Sequence, residues 1–443
     1  MRRYKAYKNC NIPWIKQIPS HWMTKRAKFL YKKEQRPVRE EDSVVTCFRD
    51  GVVTLRKNRR TTGFTEAISE FGYQGIRKGD LVIHVMDAFA GAIGVSDSDG
   101  KGTPVYNVCT AYGDSNNYYY AYALREMARA GFIQSLYRGI RERSSDFRFD
   151  VFERQYLPVP LREEQDQIVR YLDWQVSKIN RLIAAKRKEI ERIQEHLDKS
   201  IEIMFDEIAS SGNDSIPLGR HITSIESGTS VNSIMGTADN DSIGVLSTSC
   251  VYGNNFDLSQ NKRVAPSDYG RVSCPVKKDT LIISRMNAPS LVGACGFSEK
   301  DDTRVYLPDR LWQVRFDNAL MPEYAWRYLS TKRIKSWFAT IATGTSSSMK
   351  NITKPQLKSI QIPFPSLEKQ AETVRRIKTL CDKCNAACHV FEESIMRLID
   401  LRTRLISDAV TGQVDVRGIK VPDDEYTYTE TLEEETEEET EEE

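Results

Sequence analysis

Two stretches of the chain place an apolar residue at every third or fourth position over many turns. In the first, Ile168, Leu172, Val176, Ile179, Ile183, Ile190, Ile193, Leu197, Ile201 and Met204 keep that spacing, interrupted at Lys186. In the second, Val374, Ile377, Cys381, Cys384, Cys388, Phe391, Ile395, Leu398 and Leu405 keep it, with Arg402 in the polar place. A helix returns to the same face every 3.6 residues, so each stripe reads as the seam of a coiled coil. The first helix, from Glu163 to Ile208, is expected to extend roughly 65–70 Å at 1.5 Å per residue. Neither stripe can stay in water, and each is the other's obvious partner. With a whole unit of chain between them, an antiparallel pairing is geometrically easy.

Elsewhere the pattern is shorter and repeats. β-Branched runs broken by glycine, Gly79 to Gly94 and Asp279 to Gly296, read as short strands and turns. An aromatic-rich helix follows each of them, from Tyr118 and from Pro322, then a polar or basic loop, then a P-x-P element that opens a long helix. Leu81, Ile83, Met86 and Ala88 meet Leu281, Ile283, Met286 and Ala288 at an offset of 200. Pro158, Pro160, Glu163, Gln165, Val169 and Arg170 recur as Pro363, Pro365, Glu368, Gln370, Val374 and Arg375 at an offset of 205. Matches that keep chain order and drift only by small insertions mark a tandem duplication of a unit of roughly 200 residues. The expected fold is α+β: two similar domains separated by two long helices that pair as an antiparallel coiled coil. The boundaries read as domain one over 1–160, a central helical region over 161–210, domain two over 211–361, a distal helical region over 362–418, and an acidic disordered tail over 419–443.

Charge changes this picture. The 443 residues carry a formal +2, but 423–443 hold 13 acidic residues and no Lys or Arg, leaving 49 acids against 64 bases in the rest, about +15. A basic body behind an acidic tail suggests a polyanionic partner. The longest apolar candidate, Leu81 to Val95, is too short to span a bilayer and carries His84 and Asp87. The start of the chain has no apolar signal region, and nine scattered cysteines suggest reduced thiols and a cytoplasmic setting.

No phosphate-binding loop, HExxH, G-x-S-x-G elbow or amino-methyltransferase N-P-P-[FY] motif is present. Cys381, Cys384, Cys388 and His389 could supply metal ligands, yet the three cysteines occupy seam positions, and one continuous helix cannot readily surround a metal; packing is the better reading. Tyr118, Tyr119 and Tyr120 read as helix core. Basic and amide side chains in loops carry the binding argument. Arg and Asn form bidentate bonds with guanine and adenine edges, and Lys serves phosphates. The candidates are Lys57, Asn58, Arg59, Arg60, Arg138, Arg141 and Arg143 in the first copy, with Arg148 nearby, and Arg285, Asn287, Thr345, Ser346 and Lys350 in the second. His84 and Asp87, like Arg285 and Asn287, flank the shared Met-x-Ala turn, where they could face a groove or simply bond the strand ends.

The opening IPWIKQIPSHWMTKRAKF, the run GDLVIHVMDAFAGAIGVS, and the helical stretches EEQDQIVRYLDWQVSKINRLIAAKRKEIERIQEHLDKSI and LKSIQIPFPSLEKQ through LRTRLISDAVTGQVDVRG resemble the specificity subunit of type I restriction–modification systems over about 1–418. The resemblance implies a non-catalytic, cytoplasmic, prokaryotic DNA-recognition subunit in which each domain recognises one half of a split duplex target and the helices set the spacing. It also implies methyltransferase subunits docked on the helices and restriction subunits beyond them, with S-adenosylmethionine, ATP and Mg on those partners and none in this chain. The resemblance carries over no base-reading residue. Three other readings stay open: an orphan paralogue or a subunit of another DNA-defence complex, a coiled-coil scaffold whose basic surface binds protein or RNA, and a nuclease with degenerate motifs.

Overall fold

The structure, a computed structural model of the chain, describes residues 2–59, 71–136, 146–211, 214–239, 241–344 and 349–422. The candidates Arg60, Arg138, Arg141, Arg143, Thr345 and Ser346 lie outside the described residues, as does the acidic run 423–443. The chain divides into two compact units: Arg187–Phe391 is one, and the described residues on either side of it in the chain form the other. Both boundaries fall inside long helices, a central one over Arg162–Ser210 and a distal one over Leu367–Val410.

The first unit is built on a four-stranded antiparallel sheet in the order Tyr31–Lys33, Tyr106–Ala111, Leu81–His84, Ile93–Val95. Side chains alternate across a strand, and Leu81–His84 uses both faces. Leu81 and Ile83 enter one core with Tyr119, Leu124 and Phe152, whereas Val82 enters another with Val45, Val53 and Val108. The helix Asn117–Arg129 covers the first face. Its N-terminus is capped by Asn116, whose side chain accepts from the backbone N–H of Tyr118 at 2.9 Å and of Tyr119 at 3.3 Å. That cap turns Tyr119 and Tyr120 fully inward but leaves Tyr118 exposed, so only two of the three tyrosines are core. Two short antiparallel strand pairs cover the other face, the hairpin Val45–Cys47 with Val53–Leu55 and the non-local pair Gln74–Ile76 with Gly100–Gly102.

The last part of the chain completes this unit. Leu405, Ala409, Val410, Val414 and Val416 lie in the same core as Trp22, Tyr119 and Ile168. The backbone N–H of Asp415 donates to Arg2 O at 2.9 Å, Tyr119 Oη donates to Val410 O at 3.0 Å, and Gln167 Nε2 donates to Val416 O at 3.1 Å and Ile419 O at 2.7 Å. Ile419 and Val421 are partly buried against the core, so the first residues assigned to the acidic tail belong to the folded unit instead; being apolar, they gain by leaving water.

The second unit repeats the sheet: Ile222–Ser227, Leu311–Phe316, Thr280–Ser284, Cys295–Ser298, all antiparallel. Leu281 and Ile283 again enter one core, with Tyr324 and Leu329, and Ile282 enters another, with Leu246 and Val305. Where the first unit has two short strand pairs, the second has a five-stranded sheet, Ser233–Ile234, Asn261–Val264, Gly244–Leu246, Asp302–Tyr306, Pro275–Val276. One buried glutamine per unit ties sheet, helix and P-x-P element together. Gln165 accepts from Asn116 N at 2.9 Å and donates to Pro160 O at 3.0 Å; Gln370 accepts from Met321 N at 2.9 Å and donates to Pro365 O at 3.0 Å.

Each seam residue, Ile168, Leu172, Val176, Ile179, Ile183, Val374, Ile377, Cys381, Cys384, Cys388, Phe391, Ile395 and Leu398, is buried or half-buried. In the first unit the helices run antiparallel. Gln167 meets residues 416–419, while Asn180 Oδ1 accepts from Arg402 Nη1 at 2.8 Å, which explains the polar residue in the second stripe. In the second unit Phe205 and Ile208 share a core with Val374 and Ile377.

Candidate nucleic-acid interface

The strand that buries residues 81–83 ends in a turn whose backbone is held identically in both units. In the first, Val85 N donates to Val105 O at 3.0 Å and Val85 O accepts from Phe147 N at 3.1 Å. In the second, Arg285 N donates to Arg310 O at 3.0 Å and Arg285 O accepts from Ile352 N at 2.9 Å. The equivalent residues His84 and Ser284 precede the turn, and Asp87 and Asn287 close it. His84 Nδ1 accepts from Asp87 N at 3.1 Å, with the ring against Tyr106 at 5.2 Å. Burial lowers the His84 pKa below the ordinary histidine range, with the neighbouring Asp87 carboxylate opposing and Arg49 adding to the shift; the ring is neutral at pH 7. In the second unit Asn287 Nδ2 donates to Ser284 Oγ at 3.2 Å.

A third side chain reaches each turn from the layer above. Arg49 Nη2 donates to Asp87 Oδ1 at 3.1 Å. Asn287 Nδ2 donates to Tyr252 Oη at 3.0 Å. Glycine allows both approaches. A Cβ on Gly94 would lie 1.9 Å from Gly51 O, and one on Gly296 would lie 2.7 Å from Asn255 O; these two glycines stand opposite Val82 and Ile282 in the two ladders. Gly91, at φ +94°, likewise admits the carbonyl of Arg49, 2.8 Å from where a Cβ would be.

The predicted residues distribute around these turns. Lys57 and Asn58 are exposed in a short 3-10 turn, where Asn58 Nδ2 donates to Thr54 Oγ1 at 2.9 Å. Arg59 pairs with Asp50 at 2.6 Å and lies 4.6 Å over the Phe48 ring, which braces the hairpin that carries Arg49. Arg148 is exposed and pairs with Asp146. In the second unit the structure brings three candidates together: Met286–Asn287 pairs with Lys350–Asn351, placing Asn287 opposite Lys350, next to Arg285. The Arg285 Nε donates to Asp309 O at 2.6 Å, so part of its guanidinium holds a loop. Arg49 and Tyr252 escaped the sequence reading, because the segments that deliver them do not align with each other.

Residues 238–389 match the family described as the type I restriction modification DNA specificity domain. The match lies wholly within the second unit. The first unit repeats its four-stranded sheet, its turn at a sequence offset of 200 and its glutamine at 205. Over 136 residues the chain is 25% identical to the type I restriction enzyme EcoKI specificity subunit of Escherichia coli K12, covering 30% of this chain and 29% of the relative. The chain thus spans under a third of the curated relative that it matches. Its fold is that of a chain solved in work on complex assembly and conformational transition of the type I R-M system, with 18% identity, a TM-score of 0.59, and coverage of 90% of this chain and 99% of that one. The HsdS subunit from Thermoanaerobacter tengcongensis aligns over 90% of this chain and 98% of its own, at 18% identity and a TM-score of 0.42.

The distal end of the specificity-domain match includes Cys381, Cys384, Cys388 and His389. Among the described residues no group of three or more His, Cys, Asp or Glu is placed to hold a metal. Burial raises the Cys381 pKa, and the Arg327 guanidinium beside it only partly offsets that, so the side chain is a packed thiol. Among the described residues no helix is long and apolar enough to cross a membrane.

Proposed function

We propose that the chain is the sequence-recognition subunit of a type I restriction–modification complex, in which each unit takes one part of a bipartite duplex target. The observation that carries this reading is the duplication: one specificity domain and a second unit on the same sheet and turn, each presenting a different polar group at the same place. Two related sites in one chain suit a target in two parts. The central and distal helices, each continuous through both units, suit a spacer that sets the distance between the parts and a surface for methyltransferase subunits. Chemistry then resides on the partners: S-adenosylmethionine on the methyltransferase subunits, ATP and Mg on the restriction subunits, and no catalytic step in this chain. The cytoplasm is the compartment where such a complex meets DNA.

Methylome sequencing of the host, with and without this gene and its neighbouring methyltransferase gene, tests the reading. Loss of N6-methyladenine at one split motif on deletion is the expected result; an unchanged methylome overturns it. Lengthening the central helix by whole turns should alter the tolerated gap between the two parts and leave their sequences alone, and an unaltered gap refutes the spacer.

A further inference from the structure

The two turns share a backbone and differ in what they present. Arg49, Asp87 and His84 stand in the first unit where Tyr252, Asn287 and Ser284 stand in the second. The apolar strand behind each turn is the same to the residue in how it divides its side chains between two cores, so packing does not account for the change. We infer that Arg49 is a specificity-determining residue of the first unit, presenting its guanidinium to a guanine edge in one half of the target; this deepens the proposed function and rests on it.

Four features of the site support that role. The Arg49 side chain is 56% exposed and Asp87 takes one bond from Nη2, and among the described residues no other acceptor holds its remaining N–H groups. A guanidinium gripped on one side keeps its fork in a fixed plane, which lowers the entropy lost when it meets two acceptors such as O6 and N7 of guanine. The adjacent carboxylate makes the pair formally neutral, which weakens attraction to a phosphate but leaves directed donors for a base edge. Lys57, exposed in the turn that follows this hairpin, shows the opposite design, a flexible point charge suited to the backbone of the duplex. Finally, the hairpin cannot slide: Gly94 and Gly91 take the carbonyls of Gly51 and Arg49 at distances that no larger residue would admit. The second unit delivers Tyr252 over Gly296 by the same construction, with neutral groups, and so suits a different base.

The test uses the full chain expressed with its methyltransferase subunits in a host free of this methylation, read by single-molecule sequencing. For Arg49→Ala and Arg49→Lys, one guanine position in one half of the methylated motif is expected to relax, with discrimination there falling about tenfold or more, while the other half stays intact. Lysine should not rescue, because it lacks the planar fork. A motif unchanged letter for letter in Arg49→Ala overturns the role of Arg49, whatever happens to the overall methylation rate. A wild-type chain that leaves no bipartite mark overturns the recognition reading itself, which is a separate result. If Arg49→Ala leaves no mark at all, competition binding of the purified complex to duplexes substituted at each guanine decides. Indifference to one guanine, with wild-type thermal unfolding, supports the inference; uniformly weaker binding or a lowered unfolding temperature overturns it.

Discussion

The first and second units put the same sheet to use under different covers. In the first, two short strand pairs lie over the sheet and a charged Arg49–Asp87 pair closes the turn; in the second, a five-stranded sheet lies there and neutral Tyr252 and Asn287 close it. The shared part is what burial dictates: the strand split between two cores, the glycine that lets the cover approach, and the glutamine that satisfies buried backbone groups. The divergent part faces outward, where a change of side chain costs little stability. A duplicated domain can therefore acquire a new ligand chemistry without rebuilding its frame.

The sharpest way to break this comparison is at the glycines. Gly94→Ala drives a Cβ to within 1.9 Å of the Gly51 carbonyl, a backbone atom that cannot rotate away, and should cost about 3 kcal/mol or more. Gly296→Ala meets Asn255 O at 2.7 Å and should cost only about 1–2 kcal/mol. Thermal unfolding of the two variants checks the order, and a larger loss at Gly296 breaks the equivalence of the covers.

Next in size are the glutamines. Gln165→Ala strands the Asn116 N–H and Pro160 O, and Gln370→Ala strands the Met321 N–H and Pro365 O; each should destabilise its own unit by about 2 kcal/mol. Hydrogen exchange resolved by residue would show the loss confined to residues around 116 in one variant and 321 in the other. Loss spread evenly over the chain in both would contradict independent units.

The smallest effect separates the units by pH. The His84 pKa is lowered by burial, so the folded first unit favours the neutral ring; that stability is fully present above the unfolded histidine value near 6.5 and is lost as pH falls below it toward the folded value. Ser284 holds the corresponding place in the second unit and cannot titrate. There Asp317, whose lowered pKa reflects the His221 bond and backbone N–H groups winning over its desolvation, loses its contribution only below about 3.8. Mild acid should therefore loosen the first unit before the second, and His84→Ser should remove the difference. Equal loosening at pH 5.5 in the wild type would rule out His84 as the cause.

Much of the frame was legible in sequence because burial writes periodic patterns. The three-and-four spacing gave both long helices, and the fixed offset gave the repeat and the order of its parts. It even paired Gln165 with Gln370, although nothing local says that both are buried. What stayed hidden depends on contacts far apart in the chain. Arg49 reaches Asp87 across a hairpin, and Tyr252 reaches Asn287 from a segment with no counterpart in sequence. Arg59, a candidate from side-chain type alone, also pairs with Asp50 and lies over the Phe48 ring. Side-chain type shows what a residue is able to bond; only the fold shows whether a protein partner has taken the bond first.

The joining of Asp415 to Arg2 and of Val410 to Tyr119 reverses the order of birth on the ribosome. The second unit is one uninterrupted stretch, 187–391, and can close as soon as it has emerged. The first unit, begun earlier, stays without Leu405, Val410 and Val416 until the second has been made. At about 5–20 residues per second that wait is of the order of tens of seconds, with an apolar core open to water. The unit begun first is thus the one completed last.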